Sequence, residues 1–405
     1  MKSIQPTIVK FLSILLVLIF STGMAFAAEK VIIGFSGAIT GPTSDAGVPY
    51  SQGVEDYCKY TNDNKILKGY ELECLIRDDG YKNEVTKRNF EEYVEAGIAV
   101  FLGYSTGSTL ALKKDFEDTE IPVIPASMHA DNLKDSNYIF LPIATYSEQV
   151  LGLAEYIAKN HKGGKAKVAL FIHPSAFGRA PVEDLKKAIT NGLNIELVEI
   201  IEHANDLDNS AMLQRLASAG VGYVISQTVQ SPVASMLKDA KRLDLIGKFG
   251  DKNKMVFLGA HYTGGNDLIG LAGDAADGFY WTTSYRLTNE KSEGSDFMKG
   301  LAKKYGRDEK TMYSHNYTNG VMVTQLAVEG IRRVIATKEE ITGANIADKL
   351  SKMNGSTAYD PKTTVGPVTF TKTDHSGVDA LQLYVAKKGV FVSEGKPFKS
   401  QYYGK

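Results

Sequence analysis

The sequence predicts an α/β protein built as two similar doubly wound parallel-sheet lobes joined by a three-crossover hinge. Three observations carry this. The chain has 405 residues, too many for one small core. Short apolar, β-rich runs alternate with amphipathic helical stretches, the pattern of parallel sheets covered by helices on both faces. The same unit order then occurs twice, over 31–145 and again over 148–280.

The elements follow in order. Strands are expected at 31–36, 71–77, 97–102 and 122–125, with helices at 50–62, 84–96 and 110–118 between them. The second set has strands at 167–173, 195–201, 222–226 and 255–259, with helices at 149–160, 181–191, 211–219 and 233–243. The β-rich run 278–286, "GFYWTTSYR", would carry the chain back to the first lobe, to which helices at 295–305 and 316–336 would belong. Strand-like runs over 367–391 would return to the second lobe. The expected lobes are 28–146 plus 283–360 and 147–282 plus 361–405. No low-complexity linker separates them, which suits a hinged pair.

Residues 1–27 have the form of a cleavable secretory signal. Lys2 and Lys10 precede the apolar run "FLSILLVLIF", and Ala25-Phe26-Ala27 provides a small-x-small cleavage site. That run is short for a membrane span, which needs about 20 residues. No Cys follows the cleavage site to take a lipid. An exported protein in the periplasm is therefore expected. Net charge is -1 and 23% of residues are charged, so nothing points to nucleic acid. Cys58 and Cys74 are the two cysteines. In an oxidising compartment they could pair, and they could equally be two small buried hydrophobes. Without a nearby His they do not form a zinc site of ordinary spacing.

Gly103-Tyr104-Ser105-Thr106-Gly107 fits the G-x-S-x-G elbow of serine hydrolases, after an apolar strand and before a helix. A hydrolase also needs an oxyanion loop ahead of the serine, and no HGG-type loop precedes this one. The other use of such a loop is to hold a ligand. Glycines permit unusual backbone angles, small hydroxyls add donors, and a helix start offers unpaired N–H groups.

Several stretches, in order, resemble the periplasmic solute-binding proteins of branched-chain amino acid type ABC transporters, with the type I periplasmic fold. They are "VIIGFSGAITGPTSDAGVPYSQGVEDYCKYTND", "LKGYELECLIRDDGYKN", "FLGYSTGSTLALKKDFEDTEIPVIPAS", "FIHPSAFGRAPVEDLKKAI", "FLGAHYTGG" and "GPVTFTKTDHSG". The resemblance covers essentially all of the chain after the leader. It implies capture of a small solute between the lobes and delivery to an inner-membrane permease with its ATPase subunits, without catalysis, cofactor or metal. A monomer is expected.

The resemblance also implies a set of ligand-binding residues: Ser105 and Thr106 from one loop, Ala126 and Ser127 from "PASMH", Tyr146 at the crossover, Phe177 from "SAFG", Gln227 at the end of "GYVIS", and His261 from "FLGAHYTGG". Ser105 and Thr106 could instead be a helix cap, His261 a structural histidine, and Tyr146 and Phe177 plain packing. The acids Asp78 and Asp79 are expected as caps and loop contacts rather than metal ligands. Tyr146 and His261 stand where the amino-acid binders of the family carry acids for the ligand ammonium, and Ala46 stands where the leucine binders carry a bulky aromatic. The expected solute is therefore a carboxylate or amide with room for a larger apolar body. Branched-chain amino acid binding is the alternative within the fold, and a sensor subunit is an alternative use of it.

Overall fold

The computed structural model describes residues 28–203 and 208–404, so the expected leader lies outside the described residues. Among the described residues, twelve strands form three sheets. The first sheet has the order β2-β1-β3, from β1 (Glu29–Gly37), β2 (Tyr70–Asp78) and β3 (Val100–Leu102), all parallel. It is extended by single bridges from Phe101 to Val123 and from Val123 to Ile139. The run 122–125 was expected as a strand and makes only these bridges. Pro122 and Pro125 bracket it, and proline has no N–H to give to a ladder.

The second sheet has seven strands, ordered β12-β11-β9-β8-β7-β5-β6. β5 (Ala166–Ile172), β6 (Ile195–Glu202), β7 (Tyr223–Gln227), β8 (Val256–Gly259) and β9 (Tyr280–Thr283) run parallel. β11 (Leu381–Lys387) and β12 (Val390–Phe398) add an antiparallel edge. A small third sheet pairs β4 (Leu141–Ile143) with β10 (Ser376–Val378).

One apolar core lies around the first sheet and two flank the second, one on each face. Val368, Phe370 and Val378 pack in the first core, so the final return to the second lobe comes at β11 rather than at 361. The reason is local. Pairing of β10 with β4 holds this stretch to the first lobe until Val378.

Helix Ser44–Asp63 begins well ahead of the expected start and contains Pro49. It packs on helix His315–Thr337 at almost backbone contact: a Cβ on Gly320 would sit 1.9 Å from the Tyr50 oxygen, and one on Gly53 would sit 2.3 Å from that of Tyr317. The expected helix at 110–118 is two short ones, Thr106–Ala111 and Lys113–Thr119. Cys58 and Cys74 form a disulfide tying helix Ser44–Asp63 to β2. Among the described residues no helix is long and apolar enough to cross a membrane.

Candidate functional site

Five aromatic rings converge between the lobes. Tyr81, Tyr104, Tyr146, Phe177 and Tyr262, with Thr43, Thr106, Ala126 and Val229, line a small cavity of about 20 Å³. The first lobe contributes the loops after β1, β2 and β3 and the stretch around Ala126. The second contributes Phe177 after β5, Val229 after β7 and Tyr262 after β8. These are C-terminal ends of parallel strands, where ligands gather in open α/β sheets.

The rings support one another. Tyr146 and Phe177 have centroids 5.1 Å apart, Phe177 and Tyr262 5.9 Å, and Tyr81 and Tyr104 6.3 Å. Their hydroxyls are tied down from behind. The Tyr104 hydroxyl donates to the Thr43 carbonyl at 3.2 Å. The hydroxyls of Tyr146 and Tyr262 both donate to the Ala126 carbonyl, at 3.2 and 2.8 Å. The second of these bonds crosses the cleft. Burial pushes the hydroxyls of Tyr104, Tyr146 and Tyr262 far above their ordinary range, so they remain neutral donors.

Tyr81 sits at φ +64°, in the left-handed region that a bulky side chain seldom occupies. Asp79 holds it there by accepting from its N–H at 2.8 Å, and also takes bonds from Ser36 and Thr86. Asp78 accepts from the N–H groups of Ile39, Thr40 and Gly80, each at 3.0 Å. Both acids are thus consumed by loop contacts.

Of the residues expected from sequence, Thr106, Ala126, Tyr146 and Phe177 line the cavity together. Ser105 is the N-cap residue of helix Thr106–Ala111 without a side-chain cap bond, and it lies beside the Tyr81 hydroxyl. Ser127 stands behind Thr106, donating to its hydroxyl at 2.9 Å, and is itself fixed by Asn132. Gln227 is also one layer back, donating to the Phe177 carbonyl at 3.2 Å.

His261 does not line the cavity. Its ring turns away, with Nδ1 2.8 Å from the Thr283 hydroxyl and 3.2 Å from Nε2 of His315. Its backbone N–H donates to Gln149, and its neighbour Tyr262 takes the wall. Burial, and then the facing His315, hold the His261 pKa well below the usual histidine value, and burial lowers that of His315 to about 3. His173, whose ring lies 5.7 Å from that of Tyr81 across the cleft, pairs with Ser175 at 2.8 Å.

Residues 30–390 match the family model for periplasmic binding proteins. The chain belongs to this family. A branched-chain amino acid ABC transporter protein of Thermus thermophilus, crystallised with bound valine, is 47% identical, with a TM-score of 0.88 over 93% of this chain and 98% of that one. A Pseudomonas aeruginosa protein that binds leucine, isoleucine, valine, threonine and alanine is 24% identical over 262 residues, 64% of this chain and 67% of its own length. A solute-binding protein of Rhodopseudomonas palustris BisB5, solved with 3,4-dihydroxybenzoic acid, shares the fold at 21% identity, with a TM-score of 0.75 over 92% of this chain and 98% of that one. This periplasmic binding protein is therefore a solute-binding component of the ABC importer type, with the two-lobed type I fold.

Four wall residues of this binding protein escaped the sequence reading besides Tyr262: Thr43, Tyr81, Tyr104 and Val229. Two had visible signals. Tyr81 follows the Asp-Asp-Gly turn, and Tyr104 is the x before the serine in G-x-S-x-G.

Proposed function

We propose that this binding protein captures a small solute with a compact apolar body and a carboxylate or amide head, and hands it to an inner-membrane permease. The wall chemistry carries the proposal. Among the described residues that line the cavity, none is an Asp, Glu, Lys, Arg or His. The Ala126 carbonyl, which faces the cavity region, already accepts from two tyrosine hydroxyls. An ammonium closed into this space would have no carboxylate to pair with, and burying an unpaired charge costs several kcal/mol or more. The Ser105–Thr106 loop instead offers hydroxyls and uncapped N–H groups, which suit a carboxylate or an amide oxygen. The aromatic rings suit the apolar body.

A second reading has its own support. The Thermus thermophilus relative, 47% identical, holds valine, so a branched-chain amino acid is the competing solute. Valine and its 2-oxo analogue, 2-oxoisovalerate, share the carboxylate and the branched body and differ where the ammonium would sit. Calorimetric titration of both, beside leucine, benzoate and isobutyramide, separates the readings. The proposal expects 2-oxoisovalerate to bind at least tenfold more tightly than valine. Submicromolar binding of valine with weaker binding of the oxo acid would establish the second reading.

Export through a leader at 1–27 and action as a monomer belong to the same proposal, as does the lack of chemistry at Ser105. That serine is neighboured by a tyrosine hydroxyl, and the nearby His173 is engaged by Ser175.

A further inference from the structure

Helix Gln230–Arg242 of the second lobe begins without a cap of its own. Its N-cap position is Val229, which has no side-chain oxygen to give. The first-turn N–H groups of a helix lack partners within the helix and are best satisfied by a carboxylate or hydroxyl. Here the partner comes from the other lobe, 186 residues earlier in the chain. Asp45 Oδ2 accepts from the Ser231 N–H at 3.1 Å and from the Ser231 hydroxyl at 2.6 Å. The other Asp45 oxygen accepts from the N–H of Ala46, which fixes the carboxylate on the first turn of helix Ser44–Asp63.

The contact is coupled to the cavity by spacing. Thr43 and Val229, one from each lobe, both line the cavity. Asp45 and Ser231 each follow by two residues. Any solute that draws Thr43 and Val229 together also brings Asp45 to the uncapped helix. We infer that Asp45 is a positioning residue for closure: it caps helix Gln230–Arg242 in trans, across the cleft, and so holds the closed state without touching the solute.

The inference rests on closure over a solute and not on which solute is bound. When the lobes part, Asp45 and the Ser231 N–H return to water, so the cap favours the closed state alone. Losing an N-cap carboxylate corresponds to about a 2- to 30-fold change in an equilibrium. That factor should appear in release, since Asp45 makes no contact with the second lobe until the lobes meet.

Two experiments test it. The first needs no solute. Asp45→Cys with Ser231→Cys should form an oxidative cross-link between residues 45 and 231, found by peptide mass spectrometry, while Gln52→Cys with Ser231→Cys, about two helical turns further on, should not. No cross-link at 45 and 231, or equal yields from the two pairs, would overturn the contact. The second uses stopped-flow binding of L-valine and of 2-oxoisovalerate. Asp45→Ala should speed release about 2- to 30-fold with the association rate within twofold of the unaltered protein, and Asp45→Asn, which keeps an acceptor, should lie between them. Equal release rates for Asp45→Ala and the unaltered protein would refute the role even if the cross-link forms. If neither probe binds the unaltered protein, the solute reading fails and the cross-link decides the inference alone.

Discussion

Thr106 carries much of the polar character of the first-lobe wall. Its hydroxyl is held by Ser127, and Ser127 by Asn132, so it is oriented before any solute arrives. Hydrogen bonds to a charged group are worth about 1.5–3 kcal/mol each. Thr106→Val should therefore weaken binding of the tightest solute in the panel at least tenfold by calorimetry while leaving the unfolding midpoint within a few degrees, and retained affinity would make the loop merely structural. His261 and His315 act on stability instead. Both rings are buried and held neutral, so below about pH 6.5 the unfolded chain takes up protons that the folded chain refuses. Their contribution is full above that pH and declines as the pH falls toward about 3, the value for His315. For one such group the loss at pH 5 is about 2 kcal/mol. His315→Gln should shrink the drop in unfolding free energy between pH 7 and pH 5 by about that amount, measured by urea titration at each pH. At this scale the sequence was legible where a residue type is demanded, as at Thr106 and Phe177. It was illegible where orientation decides, since nothing in His261-Tyr262 says which of the two rings turns inward.

The helix pair Ser44–Asp63 and His315–Thr337 shows what one element asks of another. Gly53 and Gly320 let the two backbones touch, and a methyl group at either would meet backbone atoms that cannot swing aside. Overpacking of this kind costs about 1–3 kcal/mol and occasionally more. Gly320→Ala should lower the denaturant midpoint accordingly, whereas Gly300→Ala, whose added Cβ would meet nothing within 4 Å, should not. Long, periodic elements such as this second helix were readable from sequence almost to their ends. Three-residue strands were not: β4 and β10 are too short to show a period and exist because they pair with each other. That pairing also explains why the last lobe crossing lies beyond Val378. The cysteines were undecided from sequence because both a bridge and simple burial suit a helix packed on a strand. The structure joins them.

At the scale of the whole molecule, the lobes meet behind the cavity, where the Asp267 carboxylate accepts from the His315 N–H at 2.9 Å and the rings of His261 and His315 lie 4.6 Å apart, and again around it. Asp45 reaches Ser231, Tyr262 reaches the Ala126 carbonyl, and the rings of Tyr81 and His173 lie 5.7 Å apart. The second lobe has two apolar cores of its own, while the first core also takes in Phe177, Val229 and Tyr262 from across the cleft, so parting the lobes withdraws those side chains from it. A solute bound to both walls shifts the balance toward the closed form by its differential affinity for that form. The two-lobed plan was legible in the repeated strand–helix order, but the closed geometry was not, because contacts between loops far apart in sequence leave no periodic trace. The most direct test of capture by closure is small-angle X-ray scattering of the protein alone and saturated with the tightest solute from the calorimetric panel. The account predicts a smaller radius of gyration in the saturated sample and a scattering curve that matches the closed structure. An unchanged radius at full saturation would contradict it.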